Sequence, residues 1–180
     1  MTTPEVSIPP SLPELVRDAR NGSPEALGAL YDAFGTGLFR LAYRLTGTRE
    51  DAEDVVHDVF VGLPEALTRY DERGRLGAWL GRVTARVALM RQRRTRRRRE
   101  VGLDDAAEVP ARVAAQGDDA ALWAALDALP AGQRAVLVLK EMEGYTHTEI
   151  AETLGISQVT SRVRLLRALR HMRQQFKEAT

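Results

Sequence analysis

The chain has 180 residues, of which 44% are hydrophobic and 28% charged, so it is long enough to bury one core or two small ones. A formal net charge of +1 excludes a polycation, and the absence of cysteine excludes disulfides, thiolate zinc sites and a redox-sensing thiol. The sequence carries no membrane-length apolar run and no signal-peptide pattern, so we expect a cytoplasmic protein without membrane insertion.

The first elements in the chain are marked by helix start signals. Residues 1–22 predict a polar, proline-rich tail followed by one short helix that Ser11 caps. Ser23 lies directly before a proline and starts a longer helix. We expect this helix to kink or break at Gly35 and Gly37, because glycine weakens a helix interior.

The next helix is predicted to have an acidic outer face. Thr48 with Asp51 is typical of a helix N-cap. The helical period places these residues inward: Ala52, Val55, Val56, Val59 and Phe60. It places these outward: Glu50, Asp51, Glu53, Asp54 and Asp58. Pro64 removes a backbone hydrogen bond and predicts a kink over residues 61–64.

An arginine-rich helix follows a loop at residues 71–75. It is expected to begin near Leu76 and to end in the basic run 91–99. Its period predicts an inward side formed by Trp79, Leu80, Val83, Val87 and Met90. The basic run has two interpretations, a disordered tail or the end of a helix that carries nucleic acid, and the preceding period favours the second. Trp79 beside a glycine-containing loop suits unstacked bases, although a lone tryptophan is more often part of a core.

Residues 100–117 change to a composition typical of a linker, so the chain is predicted to form two domains, residues 23–99 and 118–180. In the second domain, one helix starts at Asp118 or Asp119, and another follows Pro130. No alternating strand pattern occurs. The predicted fold class is all-α, with two small helical domains joined by a flexible linker.

The C-terminal segment predicts a helix-turn-helix. Thr146 with Glu149 fits a capping box, Gly155 ends the short helix, and Ser157 caps a second helix. The inward stripe of the second helix is expected to comprise Ser161, Leu165, Ala168, Leu169, Met172 and Phe176. The outward side carries arginines interspersed with Val159, Val163 and Leu166, which suits phosphates and base edges. The alternative is an amphipathic helix with a solvated basic face.

The best candidate for catalysis is the pair Asp54 and His57, whose spacing places a carboxylate and an imidazole on one helix face. Helical di-metal sites need a second such pair, and neither His147 nor His171 follows an acidic residue at that spacing. A solvated acidic face is therefore favoured. The sequence predicts no catalytic residue, metal, cofactor or small-molecule substrate.

Together these motifs resemble the extracytoplasmic-function (ECF) group of bacterial RNA polymerase sigma factors. The N-terminal domain resembles sigma region 2 in the segments 30–31, 38–42, 51–60 and 78–83. The C-terminal domain resembles region 4 in the segments 129–130, 134–139, 143–145 and 149–157. The resemblance implies a non-enzymatic initiation factor that binds core RNA polymerase, reads the minus-35 and minus-10 promoter elements, helps to open the DNA, and is held by an anti-sigma factor.

The resemblance also implies roles for individual residues. Polymerase binding would involve Asp51, Glu53, Asp54, His57, Asp58 and Phe60. The downstream element would be contacted by Arg73, Arg75, Trp79, Arg82, Arg86, Arg91 and Arg93. The upstream element would be read by Gln158, Arg162, Val163, Leu166, Arg167, Arg170 and Arg173.

Some positions differ from the family pattern. Pro64 stands where the family usually has a bulky aromatic residue in a continuous helix, so we expect a shorter docking helix. His57, Arg86, Ser161 and Val163 also differ. Two other functions remain open at this point: a helix-turn-helix regulator that acts without polymerase, and a metal-dependent enzyme centred on Asp54 and His57.

Overall fold

The computed structural model describes residues 11–71, 75–100 and 119–178, and every regular element in these ranges is helical. This agrees with the predicted all-α class. The predicted tail at residues 1–10, residues 101–117 of the predicted linker, and Arg73 lie outside the described residues. None of the helices in the described ranges has the length and apolar character that crossing a membrane requires.

Five helices form the N-terminal domain: α1 (Leu12–Arg20), α2 (Pro24–Thr46), α3 (Arg49–Val61), α4 (Leu63–Leu67) and α5 (Leu76–Glu100). The predicted helix starts are confirmed. Ser11 and Glu14 form a capping box, and the Ser23 and Thr48 side chains accept hydrogen bonds from backbone amides of the first turn. Gly62 separates α3 from α4, so the interruption predicted near Pro64 occurs and α3 ends at Val61.

The predicted break in α2 is wrong. The helix continues without interruption through Gly35 and Gly37. A glycine in a helix costs about 1 kcal/mol relative to alanine, and burial of Leu30 and Leu41 on either side outweighs this cost. Gly35 itself is buried, and a Cβ there would lie 3.4 Å from the ring of Tyr31.

The predicted inward face of α5 is partly wrong. Leu80 is buried as expected, but Met90 is 56% exposed. The buried side of the helix near its middle consists instead of Thr84, Ala85, Ala88 and Leu89. The inward stripe is therefore rotated, because small residues allow α5 to approach α2 and α3 closely.

The C-terminal domain consists of α6 (Asp119–Asp127), α7 (Ala131–Leu137), a π-helical turn (Val138–Met142), α8 (His147–Leu154) and α9 (Gln158–Glu178). The π-helical turn was not predicted. Along α9, Ser161, Ala168 and Met172 are buried as expected. Phe176, which was also expected on the inward stripe, is 42% exposed.

The two domains pack against each other. Helix α5 contacts α7 and α8, and α2 contacts α7. The rings of Tyr43 on α2 and Trp123 on α6 meet edge to face, with centroids 5.2 Å apart. The sequence predicted two tethered domains and gave no sign of this contact.

Candidate docking and nucleic-acid interfaces

The first candidate surface is the acidic face of α3. Ala52, Val55 and Val59 are buried on one side of α3, so the opposite side of the helix faces solvent. Glu53, His57 and Asp58 are exposed, whereas Asp51 and Asp54 are half-buried. Phe60 is also half-buried, with its ring 5.0 Å from the ring of Tyr31 in an edge-to-face contact. The face therefore combines carboxylates with the exposed apolar side chains of Tyr31 and Val61.

Arg91 of α5 reaches across to this face. Its guanidinium donates to the Asp54 carboxylate and to Asp58 Oδ2 at 3.4 Å, and its Nε lies 3.7 Å from Asp51 Oδ1. One arginine thus links three carboxylates predicted to bind polymerase. Sequence reasoning assigned Arg91 to DNA, because spacing along one helix does not show which partner helix lies beneath a side chain.

Asp54 is therefore in an ion pair with Arg91 rather than paired with His57 for metal binding. Among the residues that the structure describes, there is no group of three or more His, Asp or Glu side chains arranged to hold a metal ion. A cavity of about 300 Å³ lies beside Arg91 and is lined by Asp58, Val87, Met90, Arg94 and Thr95. This cavity is open and belongs to the same surface.

The second candidate surface is the outer side of α5. Arg86 is exposed there, and Arg75, directly before the helix, is exposed as well. Arg82 Nη1 lies 3.9 Å from Glu149 Oε1 of α8, and Arg93 donates to the Leu154 carbonyl at 3.4 Å. These two arginines, predicted to bind DNA, are therefore engaged by the other domain. Arg73 lies outside the described residues.

Trp79 packs as part of the N-terminal domain. It is half-buried, and its ring centroid lies 5.0 Å from that of Tyr70, which is buried. The side chain thus supports the start of α5. Part of its surface stays accessible to solvent.

The third candidate surface is the helix-turn-helix. The Thr146 hydroxyl and amide donate to Glu149 Oε2 at 2.8 and 2.9 Å, and the Glu149 amide donates to Thr146 Oγ1. These hydrogen bonds, with a smaller contribution from Arg82 and Arg75, hold the pKa of Glu149 below its ordinary value. Gly155 ends α8 at φ +64°, where only glycine is unstrained, and the Thr160 amide donates to Ser157 Oγ. The predicted corner is confirmed.

A contact that the sequence did not predict joins the two helices of this motif. His147 Nδ1 at the start of α8 lies 2.8 Å from Ser161 Oγ on α9. Ser161 is fully buried, so its hydroxyl needs a partner, and His147 provides it. Burial, together with the charges of Lys140 and Arg162, lowers the pKa of His147. The serine within an otherwise apolar stripe was the signal from which this pair could have been inferred.

The outer side of α9 is exposed as predicted. Val159, Val163 and Leu166 are 66%, 40% and 57% exposed. The predicted polar readers on the same side are exposed as well: Gln158, Arg162, Arg167, Arg170 and Arg173. The second helix of the motif therefore presents a basic surface with apolar patches, which is what the edges of a DNA major groove require.

An all-helical chain with an acidic helical face in one domain and a basic helix-turn-helix in the other has the architecture of a two-domain transcription factor. Residues 30–98 match the family model for sigma-70 region 2, and residues 119–172 match that for sigma-70 region 4. The chain belongs to the ECF RNA polymerase sigma factors, a family of transcription initiation factors.

Individual relatives are similar over most of the chain. ECF RNA polymerase sigma factor SigE of Mycolicibacterium smegmatis is 37% identical over 146 residues, which cover 76% of this chain and 56% of the relative. SigL of Mycobacterium tuberculosis is 34% identical over 153 residues, which cover 81% of this chain and 85% of the relative. The solved structure of sigma factor RpoE with the anti-sigma factor NepR from Bartonella quintana aligns with a TM-score of 0.62 at 26% identity, covering 79% of this chain and 91% of that one.

Proposed function

We propose that this chain binds core RNA polymerase through the acidic face of α3 and directs it to promoters. In this proposal α9 reads the minus-35 element as duplex, while α5 and the loop before it act on the minus-10 element. The chain has no catalytic chemistry of its own, and it acts in the cytoplasm with the polymerase. The single observation that carries the proposal is the occurrence of both sigma regions, in order, with opposite charge on their outer faces.

The charges support a division of labour between the domains. Carboxylates that remain partly exposed around Arg91, with Glu53 and the exposed Val61 beside them, suit a basic, partly apolar protein surface. Arginines on α9 suit phosphates, and its exposed apolar side chains suit thymine methyl groups. A regulator acting without polymerase would have no use for the first surface.

An anti-sigma factor is a further proposed partner. The similar solved structure is a complex of a sigma factor with an anti-sigma factor, and a second one is the complex of CnrH with the cytosolic domain of CnrY. By analogy we propose that a regulatory protein binds this chain.

The test is in vitro transcription. Purified chain is added to core RNA polymerase with genomic DNA from the source organism, and the 5′ ends of the transcripts are sequenced. We expect new start sites that share two upstream elements and that disappear when the chain is omitted. Tight binding of the free chain to a duplex site, with no chain-dependent start sites, would instead support the regulator without polymerase.

A further inference from the structure

A hydrogen bond inside the helix-turn-helix joins the two helices of the motif. His147 is the first residue of α8, and its Nδ1 lies 2.8 Å from Oγ of Ser161, one turn into α9. Ser161 is fully buried, and His147 is half-buried. We call this contact the His147–Ser161 bridge. It connects the helix that supports the motif to the helix proposed to read DNA.

The bridge differs from the packing around it because it is directional. Ile150 and Leu154 of α8 and Ala168 of α9 are buried apolar residues, and apolar burial has no preferred angle. A hydrogen bond weakens steeply as its angle falls, and a buried hydroxyl without a partner is unfavourable. The bridge therefore favours one rotation of α9 about its own axis, at which the Ser161 hydroxyl is paired.

The corner between the helices needs this additional contact. Gly155 ends α8 at φ +64°, and Ser157 Oγ accepts a hydrogen bond from the Thr160 amide at 3.0 Å. These contacts set where α9 begins. Because a helix is stiff, a small change of φ or ψ over residues 155–157 turns the whole of α9. A side-chain contact beyond the corner, such as the bridge, opposes that movement.

The rotation of α9 matters because its outward residues read DNA in the proposed function. At about 100° per residue, Val163, Leu166 and Arg170 lie roughly opposite Ser161. A helix with its side chains has a radius of about 5–6 Å, so a rotation of about 20° moves the outward side-chain ends by about 2 Å. Hydrogen bonds to base edges need donor–acceptor distances of about 2.7–3.2 Å, so such a shift breaks them.

The surroundings of His147 favour a contact within the protein over a contact with DNA phosphates. Burial lowers the pKa of His147, and the charges of Lys140 and Arg162 lower it further, against the opposing charge of Glu141. The imidazole is therefore neutral at about pH 7.5. A neutral imidazole has one nitrogen that donates and one that accepts, which suits a hydroxyl partner.

We propose that His147 is a positioning residue for recognition of the upstream element. Through the His147–Ser161 bridge it fixes the rotation of α9, and this rotation determines which bases the outward side chains reach. His147 itself contacts no base. The inference rests on the proposed function, in which α9 reads the minus-35 element as duplex.

The first test measures base preference. Holoenzyme reconstituted from core polymerase and each full-length variant selects bound duplexes from a library randomised at the minus-35 element. His147→Leu and Ser161→Ala each remove the bridge. We expect the preference for the best base over the second to fall by about fivefold or more at one or more positions. Retention of the wild-type preference by both variants would overturn the proposal.

Three further variants separate positioning from loss of stability. His147→Leu with Ser161→Ala should change the preference no more than either single change, because all three remove the same contact. His147→Asn places an amide close to the position of Nδ1 and should restore most of the wild-type preference. Thr153→Val is the matched control, because it removes a buried hydroxyl whose bond, to the Glu149 carbonyl at 2.7 Å, stays within α8. An equal change of preference in Thr153→Val would contradict the proposal.

Salt dependence distinguishes positioning from a direct phosphate contact. The slope of log affinity against log salt concentration falls by about one for each phosphate contact that is lost. We expect holoenzyme with His147→Leu to keep the wild-type slope on the wild-type upstream element. A reduced slope with an unchanged base preference would mean that His147 binds a DNA phosphate, and the proposal would be wrong.

A measurement without DNA distinguishes failure of this inference from failure of the proposed function. Residual dipolar couplings of backbone amides in the free full-length chain report the rotation of α9 relative to α8. We expect α9 to rotate in His147→Leu and in Ser161→Ala, but not in Thr153→Val. The same rotation in all variants as in wild type would overturn the proposal. Absence of an enriched upstream element with wild-type holoenzyme would instead refute the proposed function.

Discussion

The guanidinium of Arg91 on α5 binds the carboxylate of Asp54 on α3 and joins the two helices across the proposed docking face. The side chains are 36% and 46% exposed, so solvent screens the pair. Networks of this kind contribute on the order of 1 kcal/mol or less to stability. The sequence assigned Arg91 to DNA, but in the structure its positive charge pairs with carboxylates of the same protein.

Replacement of Arg91 by alanine should therefore act on stability more than on promoter opening. We expect a loss of about 0.5–1 kcal/mol in the free energy of unfolding, measured by urea denaturation. Permanganate footprinting should show near-normal opening by Arg91→Ala and reduced opening by Arg86→Ala with Arg93→Ala, which remove two side chains proposed to contact phosphates. Normal opening by the double variant would indicate that Arg86 and Arg93 do not contact the opened strand.

Charge reversal on α3 should weaken capture by core polymerase. Asp54→Lys with Asp58→Lys replaces two carboxylates of the docking face with cations and also repels Arg91. The measurement is a pull-down of core polymerase at two salt concentrations. Glu141→Lys with Glu152→Lys, on exposed positions of the other domain, is the matched control. Equal capture by both double variants would remove the basis for this assignment.

The arginines of α9 should divide into two classes. Arg173 lies toward the C-terminal end, where an inserted helix rises to the backbone, so Arg173→Ala should weaken all upstream elements about equally. In the proposed docking Arg167 lies deeper in the groove, so Arg167→Ala should change the preferred base at one position, at roughly 1–3 kcal/mol of discrimination. The measurement is selection of bound sequences from a randomised minus-35 library with each variant. Recovery of the wild-type consensus by both variants would mean that the helix is docked in another rotation.

The His147–Ser161 pair predicts a pH dependence of folding. The pKa of His147 is lowered in the folded protein, so the unfolded chain binds its proton more readily. Its contribution to stability is complete above the unfolded value of about 6.5 and is lost progressively as the pH falls below it. Urea unfolding at pH 7.5 and 5.5 should show a larger loss for wild type than for His147→Gln.

The control for that experiment is His57→Gln on α3, which leaves the His147–Ser161 pair intact and should therefore behave as wild type. Three carboxylates also have a lowered pKa, namely Glu14, Glu25 and Glu149. Because their ordinary pKa is 4.5, they affect stability at a pH below the range of this experiment. If wild type and His147→Gln lose the same stability, the pKa of His147 does not differ between the folded and the unfolded chain, and the prediction is wrong.

The sequence by itself determined the features that depend on local chemistry. Capping residues such as Ser23, Thr48 and Thr146 mark helix starts, because a side-chain oxygen satisfies a backbone amide close to it in the chain. Gly155 marks a stop because it adopts a positive φ without strain. These signals, with the helical period, were enough to predict the helix-turn-helix and the acidic face of α3.

Tertiary structure decided what depends on a partner element. Gly35 and Gly37 did not break α2, because burial of flanking leucines outweighs helix propensity. The rotation of α5, which exposes Met90 and brings Arg91 to Asp54, depends on how closely α3 packs against it. The interdomain hydrogen bond from Arg44 to Glu143 joins residues that lie far apart in the chain, and no local pattern encodes that contact. This contact contributes to stability only after both domains have folded and packed against each other.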